Sequence, residues 1–192
     1  MNKRDLKTKF KVTREASNPN ESIIEGYFAL YEQETELFEG SYEIITRGAF
    51  ENTLNNDIRA LWNHNTQFVL GRNKTGSLEL KADEKGLFAT IKLPNTQYAS
   101  DLYELIQRGD VDQCSFGFNI PVGGETLEEL ASGGYRWRIN EIDLHEVSVV
   151  TFPAYENTSV QARAKQIKEI QGRKLQEKRS ALQKRLEVFK KC

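Results

Sequence analysis

Asp110-Val111-Asp112-Gln113-Cys114-Ser115-Phe116-Gly117-Phe118-Asn119 sets one hydroxyl among aromatic and glycine residues in what reads as a buried strand. It follows His64, one of only two histidines, by about fifty residues. On a strand, Cys114 and Ser115 point to opposite faces, so only one of them can meet a given partner. Whether Ser115 is a nucleophile or core filler decides how the rest of the chain is read.

Working outward, the pattern is mainly β. Residues 1–20 read as one strand with a ragged end, an alternation at Phe10-Lys11-Val12 and a turn at Ser17-Asn18-Pro19-Asn20. Residues 23–31 are apolar, aromatic and β-branched, as suits a central strand, with Gly26 marking a candidate bulge. An acidic connection over 32–39 leads to a short strand at 41–45, after which Thr46 is expected to cap a helix through Ala49, Phe50 and Leu54. The next strand, 58–64, ends on His64, where a loop begins and a side chain is presented at a surface. Strands at 68–72, 77–81 and 86–93 follow, the last two joined by the turn chemistry of Asp83-Glu84-Lys85-Gly86. Ser100 then caps a helix with Leu102, Leu105 and Ile106 on one face, and Gly109 sits at its C-terminal cap.

Beyond Ser115, residues 123–134 are acidic and glycine-containing and read as an exposed loop, and 135–140 alternate as a strand. Residues 144–151 form the longest β-branched stretch and stop at Phe152-Pro153-Ala154. Strict alternation places Leu144, Glu146, Ser148 and Val150 on one face and His145, Val147 and Val149 on the other. From about Ala162 the composition turns to lysine, glutamine, arginine and leucine, the pattern of a tail helix. The organisation expected is a domain over 1–163 and a basic helical tail over 164–192. The tail holds ten Lys or Arg against three Glu, or +7, so the body carries −8 of the net −1.

The totals exclude several classes. A chain of 192 residues with 38% hydrophobic and 29% charged residues carries one domain with a proper core plus an appendage. No apolar run approaches the roughly 18 residues of a membrane span, and the basic start has no apolar segment behind it, so a cytoplasmic setting is expected. Two cysteines, Cys114 and Cys192, rule out a disulfide framework or a four-cysteine zinc site. His145-Glu146 lacks the second histidine of a zinc-protease helix, and Asp110-Val111-Asp112 lacks the other ligands of a calcium loop. No phosphate-cradling loop or dinucleotide fingerprint is present, so neither a metal nor a cofactor is expected. The tail has one aromatic residue and no groove-reading motif, which favours docking on an acidic protein partner over nucleic acid.

A serine becomes a nucleophile when a base takes its proton and a third group orients that base. The residues available are Ser115, His64 as base, and Glu146 or His145 as orienter, with Cys114 as the rival nucleophile. The bland reading is a core serine, a loop-end histidine and an edge-strand glutamate. Spacing alone favours it, because triads are recognised by geometry and not by sequence position.

Three stretches change the balance together: Leu61-Trp62-Asn63-His64-Asn65, Gln113-Cys114-Ser115-Phe116-Gly117-Phe118, and Leu144-His145-Glu146-Val147-Ser148-Val149-Val150-Thr151-Phe152-Pro153-Ala154-Tyr155. They resemble the tailed-bacteriophage prohead protease family, related to the herpesvirus assemblins, over about residues 8–163. The resemblance implies an α+β fold that is mainly β with flanking helices, an antiparallel β-barrel of the assemblin type. It implies a serine endopeptidase that cuts scaffold or the N-terminal segment of the major capsid protein, and usually itself, inside the assembling prohead in the host cytoplasm. Self-association is compatible with that setting, and a non-catalytic capsid-assembly scaffold protein is the alternative. His64 and Ser115 carry over as base and nucleophile. The third member is Glu146 by the Glu-Val-Ser pattern, and a carboxylate stabilises an imidazolium better than a second imidazole does. The assemblins' second histidine keeps His145 as the alternative. Pro153-Ala154 stands where assemblins carry an arginine-containing oxyanion loop, which leaves backbone N–H groups or an arginine such as Arg72 for that role.

Overall fold

Alternation along residues 113–119 divides one strand into an apolar and a polar face, and the fold is built on that division. The structure, a computed structural model, describes residues 1–15, 18–131, 133–152 and 157–189. They form β1 (Asn2–Lys7), β2 (Lys11–Glu15), β3 (Asn18–Leu30), β4 (Thr35–Phe38), β5 (Ser41–Ile45), β6 (Arg59–Trp62), β7 (Asn65–Arg72), β8 (Leu78–Ala82) and β9 (Gly86–Lys92). Then come α1 (Gln97–Arg108), β10 (Gln113–Asn119), β11 (Glu125–Glu129), β12 (Tyr135–Ile139), β13 (Asp143–Val150) and α2 (Asn157–Phe189).

The architecture is mainly β with helices, but among the described residues the strands make three sheets and not a closed antiparallel barrel. Their orders are β1-β10-β13-β6-β7, β11-β12-β5-β4 and β2-β3-β9-β8. Among the described residues two pairings are parallel, β12 with β5 and β13 with β6. Each returns the chain to a sheet begun far upstream, which local alternation cannot reveal. The core gathers Phe28, Phe50, Phe116, Phe118, Leu87 and Ile91, all essentially sealed from solvent. The rings of Phe50 and Phe116 meet edge-to-face at 5.8 Å, and those of Phe116 and Phe118 stack at 5.0 Å. Each such burial is worth about 1.5–3 kcal/mol.

Several expectations need correction. The helix expected after Thr46 is a run of turns, with amides of Ala49, Glu51, Thr53 and Asn56 each donating to the carbonyl three residues back. Gly48 takes φ +86, and the Thr46 hydroxyl donates to Ile139 O instead of capping. The acidic loop at 123–134 contains edge strand β11, since Arg136 on β12 reaches Glu128 on β11 at 2.8 Å and Glu34 at 2.7 Å. The acidic connection at 32–39 likewise contains β4, paired with β5. Asn18 to Asn20 begin β3 and do not form a turn, and the first stretch is two strands in two sheets. The irregularity in β3 falls between Tyr27 and Ala29; Gly26 instead makes room for the Phe10 ring, which a β-carbon would meet at 3.0 Å. Ser17 and Cys192 lie outside the described residues.

α1 closes as its sequence implies: Gly109 adopts φ +84, and the amides of Gly109 and Asp110 donate to Ile106 and Leu105 carbonyls. The chain divides into two compact units, Met1–Tyr155 and Glu156–Cys192. In the second, α2 is exposed along 171–184, including Leu175 and Leu182. Among the described residues no helix is long and apolar enough to cross a membrane.

Candidate active site

β10 lies between β1 and β13 in one sheet, and its register sets Ser115 opposite Ser148 and Gly117 opposite Glu146. Cys114, Phe116 and Phe118 enter the core, so Ser115 and Gly117 share the other face. On β13 the expected alternation fails at one point. A register shift between Gly117 and Phe118 pairs Phe118 with Leu144, which puts Leu144 in the core with Val147 and Val149. His145 is the extra residue of that bulge, half-exposed, with Nε2 3.7 Å from Asp143 Oδ2. The bulge thus separates the two candidates for third member, and only Glu146 stays with the serines.

His64 reaches this face from the tip of the β6–β7 hairpin. Trp62 pairs with Asn65, leaving Asn63 and His64 as the two turn residues, with φ of +53 and +57. Positive φ at both positions is the geometry whose twist matches a tight hairpin, and asparagine tolerates it best after glycine. The turn is tied to the end of β13: Asn63 N donates to Val149 O at 2.9 Å, and Thr151 N donates to Asn63 Oδ1 at 2.9 Å. Trp62, Phe68 and Tyr98 rings in sequential contact brace the hairpin behind it.

The outcome is a contact between His64 Nδ1 and Glu146 Oε1 of 2.7 Å, with both side chains nearly sealed from solvent. A carboxylate only accepts, so the ring proton belongs on Nδ1 and the Nε2 lone pair is free to take another. His64 Nε2 is buried without a hydrogen-bond partner, and so is the Ser115 hydroxyl. No hydrogen bond joins the two, the looseness a resting site can show. The other oxygen of Glu146 accepts from the Ser148 hydroxyl. Ser148 was legible as a residue on the Glu146 face, but nothing in the sequence marked it as a partner.

The remaining candidates lie elsewhere. Cys114 packs in the core and donates toward Tyr27 O at 3.2 Å and Leu6 O at 3.4 Å, and burial pushes its thiol far above the ordinary value. That is a structural cysteine and not a nucleophile. Arg72 is committed to Asp57 through bonds of 2.7 and 2.8 Å, and this pairing holds the Asp57 carboxyl below its usual range. Pro153, Ala154 and Tyr155 lie outside the described residues. Among the described residues no group of three His, Cys, Asp or Glu side chains is placed to hold a metal.

Comparison with known proteins agrees with the three motifs. The chain is 34% identical over 146 residues to the prohead protease of Enterobacteria phage HK97, covering 74% of this chain and 60% of that protein. It therefore spans less than two thirds of the length of this relative. The structure of the bacteriophage T4 capsid assembly protease, gp21, is similar at a TM-score of 0.48 and 11% identity, over 77% of this chain and 98% of that one. Residues 8–173, most of the chain, match the family described as caudovirus prohead serine protease, and the chain belongs to that family.

Proposed function

We propose that the chain is a serine endopeptidase of capsid maturation, with Ser115 as nucleophile, His64 as base and Glu146 as the group that orients the base. The observation that carries this reading is the 2.7 Å contact of His64 Nδ1 with Glu146, which leaves a buried, unpartnered Nε2 on the ring and an unpartnered serine hydroxyl on the same sheet face. In the reaction, Nε2 takes the Ser115 proton as Oγ attacks the scissile carbonyl, and the imidazolium then protonates the leaving amine. Water, deprotonated by the same nitrogen, releases the acyl group from Ser115. Glu146 holds the ring tautomer and stabilises the charge on it. Because the Ser115 hydroxyl is buried, a peptide reaches it only after the cover above it moves.

Family membership supports the setting: scaffold, or the N-terminal segment of the major capsid protein, as substrate inside the assembling prohead in the host cell, with self-cleavage. Residues 1–163 form the protease domain in this reading. The +7 tail over 164–192 docks on an acidic region of scaffold or capsid precursor. Co-expression of wild type and Ser115→Ala with the cognate capsid precursor tests the function. Processing should stop in the variant; processing at the wild-type rate would sink the proposal.

A second reading, a non-catalytic assembly protein, draws on the missing Ser115–His64 hydrogen bond and the burial of Ser115. A fluorophosphonate probe separates the two, since an assembly protein leaves Ser115 unlabelled.

A further inference from the structure

We propose that Ser148 and Gly117 form a seat that fixes Glu146 against His64, with Ser148 as a positioning residue. The inference rests on the reading of Ser115, His64 and Glu146 given above. Glu146 has two oxygens and both are spoken for: Oε1 meets His64 Nδ1 at 2.7 Å, and Oε2 accepts from the Ser148 hydroxyl. Ser148 is fully buried, and it stands two residues along β13 from Glu146, on the same face. The second half of the seat is space. A β-carbon on Gly117, directly across the ladder from Glu146, would collide with Oε1 and come within 2.9 Å of Met1 Cε. The carboxylate therefore occupies space that only a glycine leaves open and accepts from a hydroxyl at its other oxygen.

This arrangement also assigns the two facing serines different tasks. The Ser148 proton is committed to the carboxylate, on the Nδ1 side of the ring, whereas the Ser115 hydroxyl has no acceptor until Nε2 approaches it. An oriented carboxylate keeps the imidazole in one tautomer; a carboxylate free to rotate would leave Nδ1 and no longer stabilise the imidazolium. Loss of the seat should therefore slow the reaction while leaving substrate binding almost unchanged. The charged groups facing this site from neighbouring strands are Lys3 and Asp5 on β1, opposite Gly117 and Ser115, and Arg59 on β6, opposite Glu146, its guanidinium 3.3 Å from Asp57. All remain in the variants below, so a change in rate belongs to the seat.

The test compares wild type, Ser148→Ala, Ser148→Thr and Gly117→Ala by the kcat and KM of peptide cleavage and by the rate of fluorophosphonate labelling. Melting curves for each variant establish that it is folded. Ser148→Ala should lower kcat about 10-fold, a small part of the roughly 10⁴-fold that a wrongly set imidazole costs a serine triad. KM should change less than twofold. Ser148→Thr, which keeps the hydroxyl, should recover most of the rate, and Gly117→Ala should reproduce the alanine phenotype without touching Ser148. If Ser148→Ala labels and cleaves at the wild-type rate, or if Ser148→Thr is no faster than Ser148→Ala, the positioning role is wrong while the proposed nucleophile stands. If wild type itself does not label at Ser115, the assignment of the nucleophile falls, and the seat falls with it.

Discussion

Asn63 does two jobs for His64, and a substitution series at that position separates them. It holds φ +53 in a turn that also strains His64 at +57, and its Oδ1 accepts from Thr151 N at 2.9 Å, tying the hairpin tip to the end of β13. Alanine in the left-handed region costs about 1 kcal/mol more than asparagine, and the lost hydrogen bond costs about 1 kcal/mol again. Asn63→Ala should therefore destabilise the chain by about 2 kcal/mol. Asn63→Gly restores the backbone freedom and should lose only the side chain's hydrogen bonds to Thr151, about 1 kcal/mol. Asn63→Asp keeps both features and should fall within about 0.5 kcal/mol of wild type. Urea unfolding in a Ser115→Ala background measures the series. Peptide cleavage with Ser115 intact should rank the variants in the same order, because a looser turn sets His64 away from Glu146. Equal stabilities for the alanine and glycine variants would show that backbone conformation is not what fixes this turn. A fully active Asn63→Ala would show that the turn does not place the proposed base.

Three further outcomes follow from the packing. Burial raises the Cys114 thiol far above its ordinary 9.0, so below that value both folded and unfolded thiols are protonated and pH has no effect through this group. Above it the unfolded thiol ionises and the folded one does not, so stability should fall by up to about 1.4 kcal/mol per pH unit; urea midpoints at pH 8 and 10 should show this loss in wild type and not in Cys114→Ala. Gly86→Ala would drive a β-carbon into the Ala29 carbonyl, backbone against backbone, and should cost about 3 kcal/mol in the same assay. The Arg4 guanidinium pairs with the nearly sealed Glu43, clipping β1 to β5 across two sheets, and Arg4→Met should cost about 3 kcal/mol by leaving that carboxylate without the guanidinium. Unfolding that is insensitive to Arg4→Met would show that the clip is not what holds β1.

How far these features could be read beforehand depends on whether their cause is local. The opposite faces of Cys114 and Ser115 follow from a two-residue period, and the α1 stop follows from Gly109. The β8–β9 hairpin follows from its turn residues. Bulges and parallel pairings are not local. Nothing near His145 announces that the ladder slips by one residue there, yet that slip moves Leu144 into the core and takes His145 away from the site. Strand β11 was hidden for a related reason: its acidic residues read as solvated until Arg136 is set beside Glu128 by the pairing itself. The approach of His64 to Glu146 depends on β6 lying parallel to β13, a contact between segments more than eighty residues apart. Only the motifs around the two residues hinted at it.

Sheet face and site exact opposite demands from the same two strands. On the apolar face Phe116, Phe118, Val147 and Val149 are buried in the core, while on the other face a buried hydroxyl and a buried ring nitrogen have no hydrogen-bond partner. Each unpartnered polar atom in such a place costs about 1–3 kcal/mol, and nothing in the fold requires Ser115 to be polar. Ser115→Ala removes the unpartnered hydroxyl, keeps the strand period and leaves the β-carbon in place. It should therefore raise stability by about 1 kcal/mol while abolishing cleavage, the reverse of what a core-filling serine would give. A serine that merely fills the core would have its hydroxyl satisfied, and its loss would lower the urea midpoint. A midpoint that falls in the inactive variant would mean that the hydroxyl has a structural partner, and the argument from its isolation would fail.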